Sequence, residues 1–517
     1  MGEIILTIDC GTQSLRTLLF DSEGALLDMV KMDYESYFSI QPGWAEKDAE
    51  ELWQSLITAC KKLKSKNRTL FSKIRGVGVT CQRDTMVCLD ERGMPLRPAI
   101  LWLDQRKAKI NYRPKGLRKL GYLITGMDEA IAKTQVEGAC NWIMQNEPKI
   151  WEKTYKFTQL STFFNFRLTG NFCDSTASQI GHIPFNYRNF RWCKKGELLE
   201  RLFPVPPEKL VELAPPGEAL GSISKEAVKA LGIPEGVPVI ACGSDKGCET
   251  IGMGVINPST ASLSFGTTAT VQTTTDKYYE PIRFMPSYSA PIPGHYNPEV
   301  EIYRGYWMIT WFKEQMAYEE VQEAKKNSVP PEVVLNSLLT QIEPGSMGLI
   351  LQPFWGPGLK NPAAKGAIIG FGDVHTKAHI YRAVIEGLGY ALLDGLQKIE
   401  KVTGIKADQA AVSGGAAQSD EICQISADIF NIPMHRGKTF ETAGLGAAVV
   451  TAAGIGSYPS IEDAIGKMVS YEKTFSPNRD HVDLYKTIFE RVYRKMYRSL
   501  YPLYKEIREI VGYPEKL

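Results

Sequence analysis

The chain has 517 residues, well past the length at which one hydrophobic core stops growing, so two domains of roughly 200–250 residues are expected. Its 44% hydrophobic and 23% charged composition matches folded globular proteins and excludes a disordered or collagen-like chain. With 60 basic against 58 acidic residues the net charge is only +2, which gives no electrostatic reason to expect nucleic acid as a partner.

The N-terminus runs straight into an apolar segment, without the basic stretch and small-residue cleavage site of a secretory leader. The longest uncharged apolar stretch, 443–456, is too short and too glycine-rich to span a bilayer. A cytoplasmic protein without membrane contact is therefore expected. Its ten cysteines contain no CxxC pair and read as reduced, mostly buried thiols.

The first apolar run, Ile4-Ile5-Leu6-Thr7-Ile8, and a second over 15–20 flank Asp9-Cys10-Gly11-Thr12-Gln13-Ser14, predicting a β-hairpin with a glycine in its loop. Gly24 offers a further turn before another strand. Helical periodicity follows over 49–64, and a short strand over 76–80 leads into Cys81-Gln82-Arg83-Asp84. Strands alternate with helices, so the fold class is α/β. The basic group Arg106, Lys107, Lys109, Arg113, Lys115, Arg118 and Lys119 is interrupted by Pro and Gly and reads as a solvated surface segment.

A second hairpin is predicted about half the chain further on, with strands over 261–265 and 269–272 flanking Gly266-Thr267-Thr268. Two Gly-Thr turns so far apart suggest a duplicated architecture, with a crossing near Asn257-Pro258-Ser259. The expected division is 1–256, 257–456 and a C-terminal segment, 457–517. In that last segment Tyr485, Phe489, Val492, Tyr493, Met496, Leu500 and Leu503 recur at helical spacing, as in a helix packed on the body.

The two turns carry the chemistry. Glycine lets backbone amides approach an anion without a Cβ in the way, and Thr12, Ser14 and Arg16 add hydroxyl donors and a cation. Asp9 supplies a carboxylate able to hold a magnesium ion through water. An ordinary hairpin turn explains one such sequence as well; two facing turns would clamp a triphosphate from both sides. No Gly-x4-Gly-Lys-Ser/Thr loop occurs, and Gly76-Val77-Gly78 lacks the third glycine of a dinucleotide fingerprint.

These residues resemble the FGGY carbohydrate kinases, which share the fold of actin and Hsp70. Asp9-x-Gly11-Thr12-x3-Arg16 is similar to the family's first phosphate motif, and Gly43-Trp44-Ala45-Glu46 with Trp53 to a second segment. Gly366 to Gly370 followed by His379 to Gly387 resembles the C-terminal signature, with Phe371 a departure. Ser413-Gly414-Gly415-Ala416-x2-Ser419, then Gln424, Ala427, Asp428 and Ile432-Pro433, resembles the adenosine motif. The N-terminal signature is half present: Trp142 to Asn146 fits, but Ala139 stands where the family has lysine.

The resemblance implies two RNase H-like domains with an interdomain cleft, ATP and Mg2+ as cofactors, and a small sugar or polyol as the partner. It implies Asp245 as general base and Asp9 in the magnesium shell. Nucleotide contacts would come from Gly11, Thr12, Gln13, Ser14, Arg16, Gly266, Thr267, Gly305, Gly414, Gly415, Ala416 and Ser419. Substrate contacts would come from Gln82, Arg83, Asp84, Trp102 and Asp104. Lys246, beside the expected base, is unusual for the family; it is expected either to favour a carboxylate-bearing or carbonyl substrate or to pair with an acidic neighbour. Gln82-Arg83-Asp84 resembles glycerol kinases, whereas Pro98 to Arg106 resembles xylulose kinases, so the subfamily stays open. Domain closure over the substrate and a possible homodimer are also expected. The alternative is an ATP-binding or sugar-sensing protein of the same fold without catalysis.

Overall fold

A computed structural model describes residues 3–116, 121–122, 127–355 and 364–513; Arg118 and Lys119 of the basic group lie outside them. The apolar run that opens the chain is strand β1 (Ile4–Cys10), buried along its whole length. Such a strand needs cover on both faces of its sheet, as helices in an α/β fold provide. It pairs antiparallel with β2 (Ser14–Asp21), which pairs with β3 (Leu26–Asp33), and parallel with β4 (Ile74–Cys81). Strands β5 (Ala219–Ser222) and β6 (Pro238–Ile240) complete a six-stranded sheet in the order β5-β6-β4-β1-β2-β3.

Helix α1 (Ala49–Lys66) begins where Asp48 accepts a hydrogen bond from Glu50 N at 2.8 Å, satisfying an otherwise orphaned amide. Its buried face, Leu52, Trp53, Leu56, Ala59, Cys60 and Leu63, has helical spacing and packs into the core of the first sheet. Each of its leucines, Leu52, Leu56 and Leu63, contributes about 1.5–3 kcal/mol on burial.

Helix α2 (Asp245–Gly252) leads to the second sheet, built from β7 (Thr260–Phe265), β8 (Ala269–Gln272), β9 (Glu299–Ile302) and later strands. After the long helix α3 (Lys377–Thr403) come β10 (Gln409–Ser413), α4 (Asp420–Phe430), β11 (Met434–Gly437), α5 (Thr442–Gly454) and β12 (Tyr471–Phe475). The order is β9-β8-β7-β10-β11-β12. In both sheets a three-stranded antiparallel meander joins two parallel strands and an antiparallel edge strand. The expected α/β fold of two related halves is met.

Two features depart from the linear reading. Helix α5 follows β11 in sequence yet packs with Ile5, Leu18, Phe20 and Ile240 of the first sheet. It crosses α2 at reciprocal glycines: a Cβ on Gly252 would lie 1.9 Å from Thr442 O, and one on Gly446 would lie 1.8 Å from Cys248 O. The C-terminal segment is not purely helical either. A helix over Ile461–Met468 comes first, then Tyr471–Phe475, the edge strand of the second sheet, and then α6 (Arg479–Ile488) and α7 (Arg494–Val511). Tyr485, Phe489, Tyr493 and Met496 pack into the core of the second half, as the helical spacing predicted.

Between β4 and β5 the chain forms a further lobe with its own core, including Met86, Ile100, Trp142, Phe185 and Phe203. All ten cysteines are free thiols, and most are buried. Among the described residues no helix is long and apolar enough to cross a membrane.

Candidate active site

The first turn closes through Gly11 N to Ser14 O at 3.0 Å. Thr12 donates to Gln82 Oε1 at 2.6 Å and accepts from the Trp102 indole at 3.0 Å. Phosphate turn, strand end and lobe are thereby joined at one hydroxyl. Trp102 remains 39% exposed beside the turn. Gln13 is exposed at the loop tip, whereas Ser14 is buried at the start of β2.

Asp9 is buried at the end of β1 with Arg16 at 3.3 Å, and the same guanidinium reaches Glu441 at 3.3 Å. Burial pushes the Asp9 carboxyl up to about 7, Arg16 opposes the rise, and Asp245 and Glu441 add to it. Asp245 is raised as well, chiefly by burial, against the pull of Arg83 and Lys246. Two neighbouring carboxylates raised in this way fit a divalent cation better than they fit each other. Among the described residues no group of three or more His, Cys, Asp or Glu forms a ready metal cage. That suits magnesium, which takes one or two carboxylates and fills its shell with water and phosphate oxygens.

The second turn lies between β7 and β8, where Gly266 O accepts from Tyr306 N at 3.0 Å and Thr267 O from Trp307 N at 3.4 Å. Gly414 has φ +86° and ψ 171°, and a Cβ there would lie 2.7 Å from Phe265 C and 3.0 Å from Gly266 N. The expected adenosine motif and the second Gly-Thr turn are thus in backbone contact. Gly415 borders open space, since an added Cβ meets nothing within 4 Å, and Ala416 beside it is half-buried.

Two expected nucleotide contacts have structural duties. Ser419 caps α4, accepting from Ile422 N at 3.2 Å and donating to Glu421 at 2.7 Å. Gly305 approaches β8 so closely that a Cβ would lie 2.3 Å from Ala269 N, which alone requires glycine. Arg436, on β11, holds the adenosine loop through Ala417 O and Gln418 O at 3.3 Å and Asp420 at 2.8 Å. No spacing in the sequence signals that role.

On the substrate side, Arg83 makes a two-point contact with Glu299 of β9 at 2.8 and 3.0 Å. Its Nε donates to Ser244 Oγ at 3.3 Å and lies 4.0 Å from Asp245, and its guanidinium sits over the Tyr288 ring at 5.0 Å. Arg83 thus ties the two halves together beside Asp245. Asp84 takes a left-handed φ of +48° and accepts from His182 N at 2.9 Å, with His182 Nδ1 at 2.6 Å. Burial alone would raise the Asp84 carboxyl, but His182 outweighs it and holds it below its usual range. A side chain at Gly181 would strike Asp84, its Cβ falling 2.2 Å from Oδ1.

Asp104 is a correction to the expected substrate set. Its Oδ2 accepts from Ala45 N at 2.7 Å and Arg106 Nη2 at 2.8 Å, and its Oδ1 from Arg106 N at 2.9 Å and Nε at 2.7 Å. All four acceptor positions of the carboxylate are used, leaving none for a substrate hydroxyl. With Arg106, Glu46 and the Trp44 ring at 4.0 Å from the guanidinium, it anchors the lobe.

For Lys246, the structure favours the acidic-neighbour alternative. Its ammonium pairs with Glu249 at 2.7 Å, one helical turn on, and donates to Ser264 Oγ at 2.8 Å. Glu249 also accepts from the hydroxyls of Ser264, at 2.9 Å, and Ser413. Both partners sit between α2 and the second sheet, with a Cβ on Gly266 only 3.9 Å from the ammonium. The i, i+3 spacing of Lys246 and Glu249 was a usable signal for this pair. His182, Glu299 and Glu301 went unrecognised, although Glu299-Val300-Glu301-Ile302 alternates as a half-buried strand with an acidic face.

The comparisons accord with this arrangement. Residues 4–252 match the N-terminal domain, and residues 261–455 the C-terminal domain, of the FGGY family of carbohydrate kinases. The uncharacterized sugar kinase YgcE of Escherichia coli (strain K12) is 27% identical over 514 residues, covering 98% of this chain and 96% of that protein. The glycerol kinase of Thermococcus gammatolerans is 28% identical over 488 residues, covering 93% and 94%. The crystal structure of a ligand-bound xylulose kinase from Lactobacillus acidophilus superposes with a TM-score of 0.80 at 22% identity, covering 99% of both chains.

Proposed function

The chain belongs to the FGGY family of carbohydrate kinases, and on that premise we propose that it transfers the γ-phosphoryl group of ATP to a hydroxyl of a small polyol, ketose or related sugar, with Asp245 as general base. The observation that supports this reading is a chain of contacts from one half to the other: Arg83 lies 4.0 Å from Asp245 and is bound to Glu299, Lys246 beside Asp245 lies against Gly266, and Gly414 packs on that same turn.

ATP enters with its phosphates between the turns at Gly11-Thr12 and Gly266-Thr267, and its adenine against Gly414, Gly415 and Ala416. Asp9 would hold Mg2+, which would supply positive charge to the phosphate oxygens. The acceptor hydroxyl lies against Asp245, which orients it and takes its proton as the new oxygen–phosphorus bond forms. The bond between the γ-phosphorus and the bridging oxygen breaks, and ADP leaves with the electron pair. A carboxyl raised by burial is a stronger base than one in water, yet positioning and charge neutralisation carry most of the rate enhancement of such transfers. Arg83 and Asp84, oriented by Glu299 and His182, bind neighbouring hydroxyls, and the exposed Trp102 covers the carbon chain.

The test is ADP release over glycerol, erythritol, pentuloses, hexuloses, pentitols and aldonates. Stimulation by at least one compound is expected; none with any of them would favour a non-catalytic sensor.

A further inference from the structure

A pocket that accepts a sugar acid must offer an uncommitted cation to the substrate carboxylate, because burying an unpaired anion is costly. The described residues give the cations around this pocket other partners. Arg83 spends one nitrogen on both oxygens of Glu299, and Gln272 also donates to that carboxylate. Lys246 is held by Glu249 and Ser264. His182 lies between Asp84 at 2.6 Å and Glu137 at 3.8 Å, and Lys133 behind it pairs with Glu137 at 3.6 Å.

The acids, by contrast, are in excess. Side chains two apart on a strand share a face, so Glu301 lies on the same side of β9 as Glu299. It sits opposite Thr270, whose other neighbour across the sheet is Ser264, the residue that holds Lys246. Among the described residues nothing donates a hydrogen bond to the Glu301 carboxylate. Its carboxyl is pushed up by burial and then by Glu299, against the pull of Arg83 and Lys246, so these two cations already have a further carboxylate beside them.

We propose that the pocket is built for an uncharged polyhydroxylated substrate and rejects sugar acids, with Glu299 setting that selection by occupying the Arg83 guanidinium from the opposite half of the molecule. This rests on the kinase reading above and narrows it. Glu299 acts on specificity through Arg83 and is a positioning residue. Lys246 cannot replace Arg83 as the discriminating cation, since its ammonium is held by Glu249 and lies against the turn at Gly266.

The test uses matched neutral and acidic compounds, xylitol and D-xylulose against D-xylonate, and glucitol against gluconate. Each is followed both by ADP release and by the shift it causes in the Tm of the full-length protein. The wild type is expected to favour the neutral members by at least a hundredfold in kcat/KM. Glu299→Gln, which removes the charge but keeps the shape, should lower that ratio by tenfold or more, and Glu299→Asp should restore it toward the wild-type value. A wild-type preference for the acids, or an unchanged ratio in folded Glu299→Gln, would overturn the inference while leaving the kinase reading intact. Binding of the neutral members without ADP release would sink the kinase reading instead, and the Tm shifts would still report the selection. Neither binding nor turnover across the panel would overturn both.

Discussion

Substitution of the two neighbouring glycines of the adenosine motif separates what the fold requires from what the nucleotide requires. Gly414 has a backbone conformation reserved for glycine, and an alanine Cβ there would fall 2.7 Å from Phe265 C and 2.9 Å from Phe265 O. The backbone strain alone costs about 1–3 kcal/mol, and relieving a contact with main chain requires the second turn itself to move. Gly414→Ala should therefore lose about 3 kcal/mol of stability, a fall in Tm of roughly 6–10 °C, together with ATP affinity. Gly415 differs: its added Cβ meets nothing within 4 Å. Gly415→Ala should leave stability within about 0.5 kcal/mol of wild type while raising the KM for ATP about tenfold, because the methyl intrudes where adenine is proposed to lie. Urea unfolding and ATP titration of initial rates read the two quantities separately. An ATP KM within twofold of wild type in Gly415→Ala would refute the placement of adenine, and an undiminished Tm in Gly414→Ala would refute the close backbone approach.

Further outcomes follow from single contacts. Asp104→Ala leaves the buried Arg106 guanidinium without its main partner, so about 3–5 kcal/mol of stability should be lost while the KM for the sugar in the folded fraction stays unchanged; a raised KM at unchanged Tm would return Asp104 to the substrate site. Asp9 gives a pH dependence. Its folded pKa of about 7 exceeds the ordinary 3.8, so the folded protein binds this proton more tightly than the unfolded chain does. The stability it contributes is full below about 3.8 and is lost as pH rises through about 7. Thermal melts of the nucleotide-free protein should show this decline, and Asp9→Asn should make it shallower, the raised Asp245 and Glu301 carboxyls keeping part of it; an equally steep decline in that variant would place the titration elsewhere.

Much of the fold was legible because its signals are local. The alternation around Gly11 and Gly266 fixed both hairpins, and the apolar spacing over 49–64 fixed α1. What escaped is long-range. Nothing in the composition of 442–454 says that this helix lies on the first sheet; the reciprocal glycines at 252 and 446 acquire meaning only once the two helices cross. Tyr471-Glu472-Lys473-Thr474-Phe475 buries only its last residue, so the strand lacks the apolar signal of a core element and is fixed by pairing with β11. The site shows the same division. Residue types at Asp9, Arg83 and Asp245 were readable, but the partner that decides how Arg83 is used, Glu299, lies 216 positions away and reaches it only through the packing of the two halves.

We propose Asp245 as the base of a sugar-dependent phosphoryl transfer. That role is tested most directly by the sugar-stimulated rate of ADP release in Asp245→Ala, measured beside the wild type at saturating ATP and Mg2+ with the best acceptor of the panel. Loss of a positioned base predicts a fall of about 10²–10⁴-fold at an unchanged Tm. Stimulated turnover within tenfold of the wild type would contradict the account.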